Sequence, residues 1–133
     1  MLDKSLLFEV LEQLEQSIET LIESTSNIHD IYELPKTADG MLRLNGICMG
    51  FIIIGEEVKR IEKYTEKQFL LNYPSIPWKS IMGLRNKIVH GYFEIDIEVV
   101  FDALKNDIPP LIEVIKQMKY DLNNIGEENK IIN

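Results

Sequence analysis

Apolar or weakly polar residues recur along the first third of the chain in steps of four and three: Leu7, Leu11, Leu14, Ile18, Leu21, Thr25, Ile28 and Tyr32. The series is one stripe of an amphipathic helix of about seven turns. Glu9, Glu12, Glu15, Glu19 and Glu23 fall between its members and face water. Pro35 should end the helix, because the residue before a proline avoids helical geometry. A second helix is expected from about Thr37 or Asp39 to about Thr65, with Leu44, Ile47, Phe51, Ile54, Val58 and Ile61 as its main stripe. Cys48, Ile52 and Ile53 add apolar surface outside that stripe. A helix apolar nearly all round is buried nearly all round, which in so small a domain predicts a second partner surface and hence a homodimer. Gly46, Gly50 and Gly55 would permit close helix approach.

Residues 66–77 read as a connector ending in Ser75-Ile76-Pro77. Ser75 could cap a third helix with Pro77 in its first turn. That helix runs through Trp78, Ile81, Leu84, Ile88 and Val89, with Ile88 and Val89 leaning into the core. Gly91 fits a left-handed C-terminal cap. Asp96 could cap the next helix, with Val99, Val100 and Leu104 inward. Pro109-Pro110 should then force a break or kink, with Asp107 as a new cap, before Leu111 to Leu122 continue. No strand alternation or internal repeat is present. The pattern predicts an all-α bundle of four to five helices, one domain over residues 1–125, with a polar tail, 126–133, that frays.

Composition narrows the picture. The 133 residues are 45% hydrophobic, which excludes a disordered tail. Gly50 and Gly55 interrupt the longest apolar run, so a membrane span is not expected, and the N-terminus lacks the layout of a signal peptide. The lone Cys48 has no disulfide partner and no companion for structural zinc, so the expected compartment is the cytoplasm. The net charge of -8 at first disfavours nucleic acid. It is uneven: residues 1–36 carry two lysines against eight acids, residues 37–92 eight Lys and Arg against five acids, and residues 93–133 four lysines against nine acids. The middle third is basic, as a cleft for a phosphate chain requires; chance variation along solvated helices is the alternative.

Within that basic third lies Arg85-Asn86-Lys87-Ile88-Val89-His90-Gly91-Tyr92. A neutral imidazole can take a proton from a ribose 2'-hydroxyl near neutral pH. A guanidinium, always charged, grips two phosphate oxygens at once. Five residues on a helix subtend about 140°, so Arg85 and His90 do not share a face. Ending the helix at Gly91 would free His90 and Tyr92 to turn toward a common space. The expected chemistry is attack of the ribose 2'-oxygen on its own 3'-phosphate, leaving a 2',3'-cyclic phosphate. His90 is the base, Arg85 stabilises the pentavalent phosphate, and Asn86 orients His90 or a phosphate oxygen, with Lys87 in support. Spacing alone favours the simpler reading, a helix-capping histidine beside a surface arginine.

The same stretch, running on to Ile95-Asp96, resembles the signature of HepT-like toxins in the HEPN ribonuclease superfamily: Arg, four residues with a polar one first, His, any residue, Tyr. Ile54-Gly55-Glu56-Glu57-Val58-Lys59 is similar to the family's IGEA-K helix. Ile76-Pro77-Trp78 matches its IPW lead into the motif helix, and Asp107-Ile108-Pro109-Pro110-Leu111 its D-L-P-L segment. The resemblance covers roughly residues 45–115. Gly91 replaces a residue that is often polar, and Glu57 stands where alanine is usual. The resemblance implies a homodimer with a composite site at its interface, and metal-independent RNase activity without a cofactor. It implies the toxin of a type VII-like toxin–antitoxin pair, whose partner is an MNT-type nucleotidyltransferase antitoxin. That antitoxin transfers AMP to the motif tyrosine, here Tyr92, and the added phosphate competes for the substrate site. Two alternatives stand beside this. Tyr92 can be a packing residue, and the chain can be a catalytically silent module that binds, regulates or serves as substrate of a nucleotidyltransferase.

Among the remaining candidates, His29 beside Asp30 and Glu33 lacks further metal ligands and reads as solvent-exposed. Lys59, Arg60, Lys63 and Lys67 either extend an RNA groove or pair with Glu56, Glu62 and Glu66 at helical spacing; pairing is the expectation. Glu56 could instead steady Arg85 across the bundle.

Overall fold

A computed structural model describes the backbone of residues 3–132 and the side chains of residues 3–124. All regular structure among these residues is helical. Helix α1, Lys4–Thr25, starts at Asp3, whose carboxylate accepts from the Leu6 N–H at 3.1 Å. It ends a full two turns earlier than the hydrophobic stripe predicts. The cause lies in Ser24-Thr25-Ser26, whose hydroxyls donate to the carbonyls of Thr20, Leu21 and Glu23 and compete with the helical ladder. Ile28 and Ile31 leave the helix but stay buried. Asp30 caps a 3-10 turn, Ile31–Lys36, and Pro35 sits inside this turn rather than ending α1.

Helix α2, Ala38–Tyr64, is capped by Thr37, whose hydroxyl accepts from the Gly40 N–H at 2.9 Å. It packs against α1 and against α3, Trp78–His90. Pro77, not Ser75, occupies the cap position of α3, and no side chain caps it. The Trp78 indole N–H donates to the Tyr73 carbonyl at 2.9 Å and ties the connector to the helix start. Gly91 ends α3 with φ -157° and ψ 50°, so its backbone is not left-handed; its N–H donates to the Lys87 carbonyl at 3.0 Å. Ile88 is buried but Val89 is 45% exposed. Consecutive helical residues lie about 100° apart, and only one of the two can face the core.

Asp96 caps α4, Ile97–Asp102, by accepting from the Glu98 N–H at 2.9 Å. Val100 and Leu104 point inward as expected, whereas Val99 is exposed. No break follows. A π turn, Ala103–Asp107, leads straight into α5, Ile108–Ile132. Pro109 and Pro110 occupy the second and third positions of α5, where a missing N–H costs least, and the wider turn before them absorbs the mismatch. Asp107 closes the π turn, and among the described residues its side chain accepts no capping hydrogen bond. Burial, and secondarily the Asp102 charge, raise its carboxyl pKa. The tail expected to fray, 126–133, falls where side chains are outside the described residues.

The core is one cluster, dominated by Leu7, Leu11, Leu14 and Ile18 of α1, Ile54 and Ile61 of α2, and Leu111, Ile115 and Met118 of α5. By length and composition α2 is apolar enough to cross a membrane, against the expectation from its interrupted runs. Its Ile47, Phe51, Ile54, Val58 and Ile61 nevertheless form the floor of this core. Its opposite face leaves Leu42, Met49 and Ile53 exposed.

Candidate active site

The motif helix α3 lies along α2, and Gly55 marks their close approach. A Cβ there would stand 2.4 Å from the Arg85 Cβ and 2.9 Å from its Cγ. The missing side chain lets Arg85 cross the face of α2 and bring its Nε against the Glu56 carboxylate. Its Nη1 donates to the Asn86 Oδ1 at 2.8 Å. Asn86 therefore steadies Arg85 and not His90. Glu56 holds Arg85 by an ion pair at Nε, without a well-formed hydrogen bond there, and Asn86 by a hydrogen bond at Nη1; Arg85 keeps 22% of its side-chain surface exposed. The remaining donors retain the fork that matches a phosphate.

His90 stands at the C-terminal end of α3, exposed, on the side away from α2. It lines a cavity of about 390 Å³ between α3 and α4, together with Lys87, Gly91 and Asp96. Tyr92 goes the other way. It opens a short 3-10 turn, Tyr92–Glu94, and its hydroxyl donates to the Asn45 side-chain oxygen on α2. His90 and Tyr92 thus do not converge on a common space. Burial, with a smaller contribution from nearby Cys48, pushes the Tyr92 phenol pKa upward. Within one chain Arg85 and Tyr92 face α2, whereas His90 and Lys87 face α4.

Asn45 is the contact that sequence reasoning did not identify. Its only signal is a lone amide inside the apolar stretch Met41–Ile54. The basic end of α2 pairs differently from expectation. Arg60 binds Glu57 at 3.2 Å, and Glu56 is taken by Arg85. Among the described residues no ion pair engages Lys59, Lys63 or Lys67. His29 is exposed, and the described residues contain no cluster of three or more metal-ligating side chains.

The protein is a small all-α bundle whose motif helix presents an arginine and a histidine on two flanks. The family model "Ribonuclease HepT-like" matches residues 21–118, and the chain belongs to this HEPN-type ribonuclease family. Over 97% of its length it is 28% identical to "Putative RNase MJ0127" of Methanocaldococcus jannaschii, covering 95% of that protein. It is 30% identical to "Putative RNase TTE0752" of Caldanaerobacter subterraneus over 81% of this chain and 89% of the relative. It is 33% identical to "Probable ribonuclease HepT" of Thermococcus cleftensis, over 76% and 84% respectively. No solved structure gives a significant match.

Proposed function

We propose that the protein is a metal-independent endoribonuclease toxin acting in the cytoplasm as a homodimer. The observation that carries this reading is the anchored Arg85, braced by Glu56 and Asn86 on one flank of the motif helix, with an exposed His90 on the other. Two copies related by a twofold axis bring the arginine of one and the histidine of the other around a single phosphate. The His90 imidazole takes the 2'-hydroxyl proton as the 2'-oxygen bonds to phosphorus. The 5'-oxygen leaves with a proton returned to it, giving a 2',3'-cyclic phosphate and a 5'-hydroxyl. Arg85 meets the charge that grows on the equatorial phosphate oxygens. Lys87 adds a cation close to His90.

A nucleotidyltransferase antitoxin neutralises the toxin by modifying Tyr92. The phenol oxygen bonds to the α-phosphorus of ATP, pyrophosphate leaves, and the phenol proton passes to a base on the transferase. The raised phenol pKa supports the need for that external base. Cleavage of total RNA in EDTA tests the catalytic reading. His90→Ala should lose about 10²–10⁴-fold in rate, and Arg85→Ala about 10²–10³-fold. Parent-like cleavage by both variants would remove these residues from the site. The second reading is a silent partner of the transferase. It is favoured by the Tyr92–Asn45 bond, which needs neither Arg85 nor His90. Intact RNA with unmodified parent protein selects it.

A further inference from the structure

The cavity on the α4 side of His90 has no role in the mechanism above. Its floor is apolar, formed by Leu84, Ile95 and Val99, and its rim carries Lys87, Glu94 and Asp96. Three observations point to a ligand. Val99 lies where the hydrophobic pattern expects core, yet it is 42% exposed and faces this space. Lys87 and Glu94 carry opposite charges on the same rim, and among the described residues neither side chain is engaged by an ion pair or hydrogen bond. The Asp96 carboxylate is held in place by its cap bond to the Glu98 N–H at 2.9 Å, with its second oxygen outside that bond.

Carboxylates repel phosphates, so beside a phosphate-cleaving histidine they serve N–H donors. The N–H donors of RNA lie on the Watson–Crick edges of its bases, which proteins read when single strands are splayed out. Guanine alone presents two adjacent donors there, N1–H and N2–H, at the spacing of a carboxylate's two oxygens. Adenine and cytosine place a ring acceptor next to the amino group, and uracil flanks its single N–H with carbonyls. A flat ring suits the Leu84, Ile95 and Val99 floor. A base seated on it leaves its sugar at the mouth, beside His90, with Lys87 able to meet the phosphate.

We propose that this cavity is a nucleobase subsite selective for guanine, read by the Glu94 and Asp96 carboxylates, in the nucleotide flanking the scissile phosphate; the cleavage part rests on the ribonuclease reading of His90. The direct probe is a backbone-amide NMR titration of the full chain with the four ribonucleoside 3'-monophosphates. The amides of Gly91, Ile95 and Val99 should shift, and the guanosine nucleotide should saturate at a concentration roughly tenfold or more below the others. Glu94→Gln, or Asp96→Asn, which keeps the helix cap, should erase that difference. Cuts in a random-sequence RNA should cluster beside guanosine in the parent and spread in Glu94→Gln. Equal affinities, shifts confined to other residues, or a preference that survives both substitutions would overturn the subsite. The two readings fail separately. Guanosine binding without any cleavage keeps the subsite and removes the ribonuclease, whereas cleavage without base preference does the reverse.

Discussion

At Gly55 the nearest atoms to an added methyl are the Cβ and Cγ of Arg85, at 2.4 and 2.9 Å. The Arg85 Cβ is rooted in the α3 backbone and cannot swing away, so alanine forces the two helices apart. Gly55→Ala should therefore cost about 1–3 kcal/mol in denaturant unfolding. It should also lower cleavage beyond what that loss explains, because the Arg85–Glu56 pair is pulled out of register. Asp107 gives a prediction of opposite sign. Its folded-state pKa is raised, chiefly by burial, so the folded chain holds that proton more tightly than the unfolded chain. The carboxylate thus destabilises the fold once the pH exceeds the folded pKa, and this penalty disappears below the unfolded value of about 3.9. Asp107→Asn should raise the melting temperature at pH 7, and the gain should vanish in acid. Motif residues such as Arg85, His90 and Tyr92 are legible in the sequence because their types and spacing carry the chemistry. Which way each points is not. The 140° between Arg85 and His90 is readable from helical pitch, but the split of His90 toward α4 and Tyr92 toward α2 depends on the direction in which the backbone leaves the helix at Gly91. Asn45 is invisible for a related reason, since its partner lies 47 residues away.

Helices α1, α2, α3 and α5 follow from hydrophobic periodicity, and Thr37 and Asp96 cap as their residue types suggest. The misread boundaries share a cause: local side-chain chemistry overrides periodicity. The hydroxyl run at Ser24–Ser26 ends α1 early, although the apolar steps continue through the loop and remain buried. The Pro109-Pro110 pair reads as a stop, yet a π turn lets the helix continue. The connector after α2 also holds a backbone feature that its sequence conceals. Glu66 and Lys67 both have positive φ, 53° and 67°, and the Lys67 N–H closes the turn on the Glu62 carbonyl at 2.8 Å. The left-handed region costs a side-chain-bearing residue roughly 1–2 kcal/mol, and glycine avoids it. Lys67→Gly should raise the melting temperature by a few degrees. An unchanged or lowered melting temperature would show that the turn relaxes in solution.

At the scale of the whole molecule, the decisive feature is an apolar surface that one chain leaves uncovered. Leu42, Met49 and Ile53 lie along the outer face of α2, on the flank that also carries Asn45 and Glu56. Val89 within the motif and Phe93 just after it are also exposed apolar residues, Phe93 to 99%. The excess apolar surface of α2 is what periodicity already predicts, and the fold places it beside the partners of Arg85 and Tyr92. Exposed apolar area of this kind marks an interaction site. In the homodimer proposed above, a twofold pairing through it would set two motif helices side by side and so resolve the split between Arg85 and His90 within one chain. Replacing Met49 and Ile53 together by glutamate would bury two unpaired carboxylates in such a pairing, at a cost that dissociates it. Both positions are exposed in the single chain, so its fold should survive, as helical circular dichroism would record. Sedimentation at micromolar concentration should then show a monomer, and cleavage should fall as far as in His90→Ala. A double variant that remains dimeric places the interface elsewhere. A monomer that still cuts RNA at the parent rate means that one chain supplies a complete site, and Arg85 and His90 must then reach the same phosphate across the exposed edge of Asn86 and Val89.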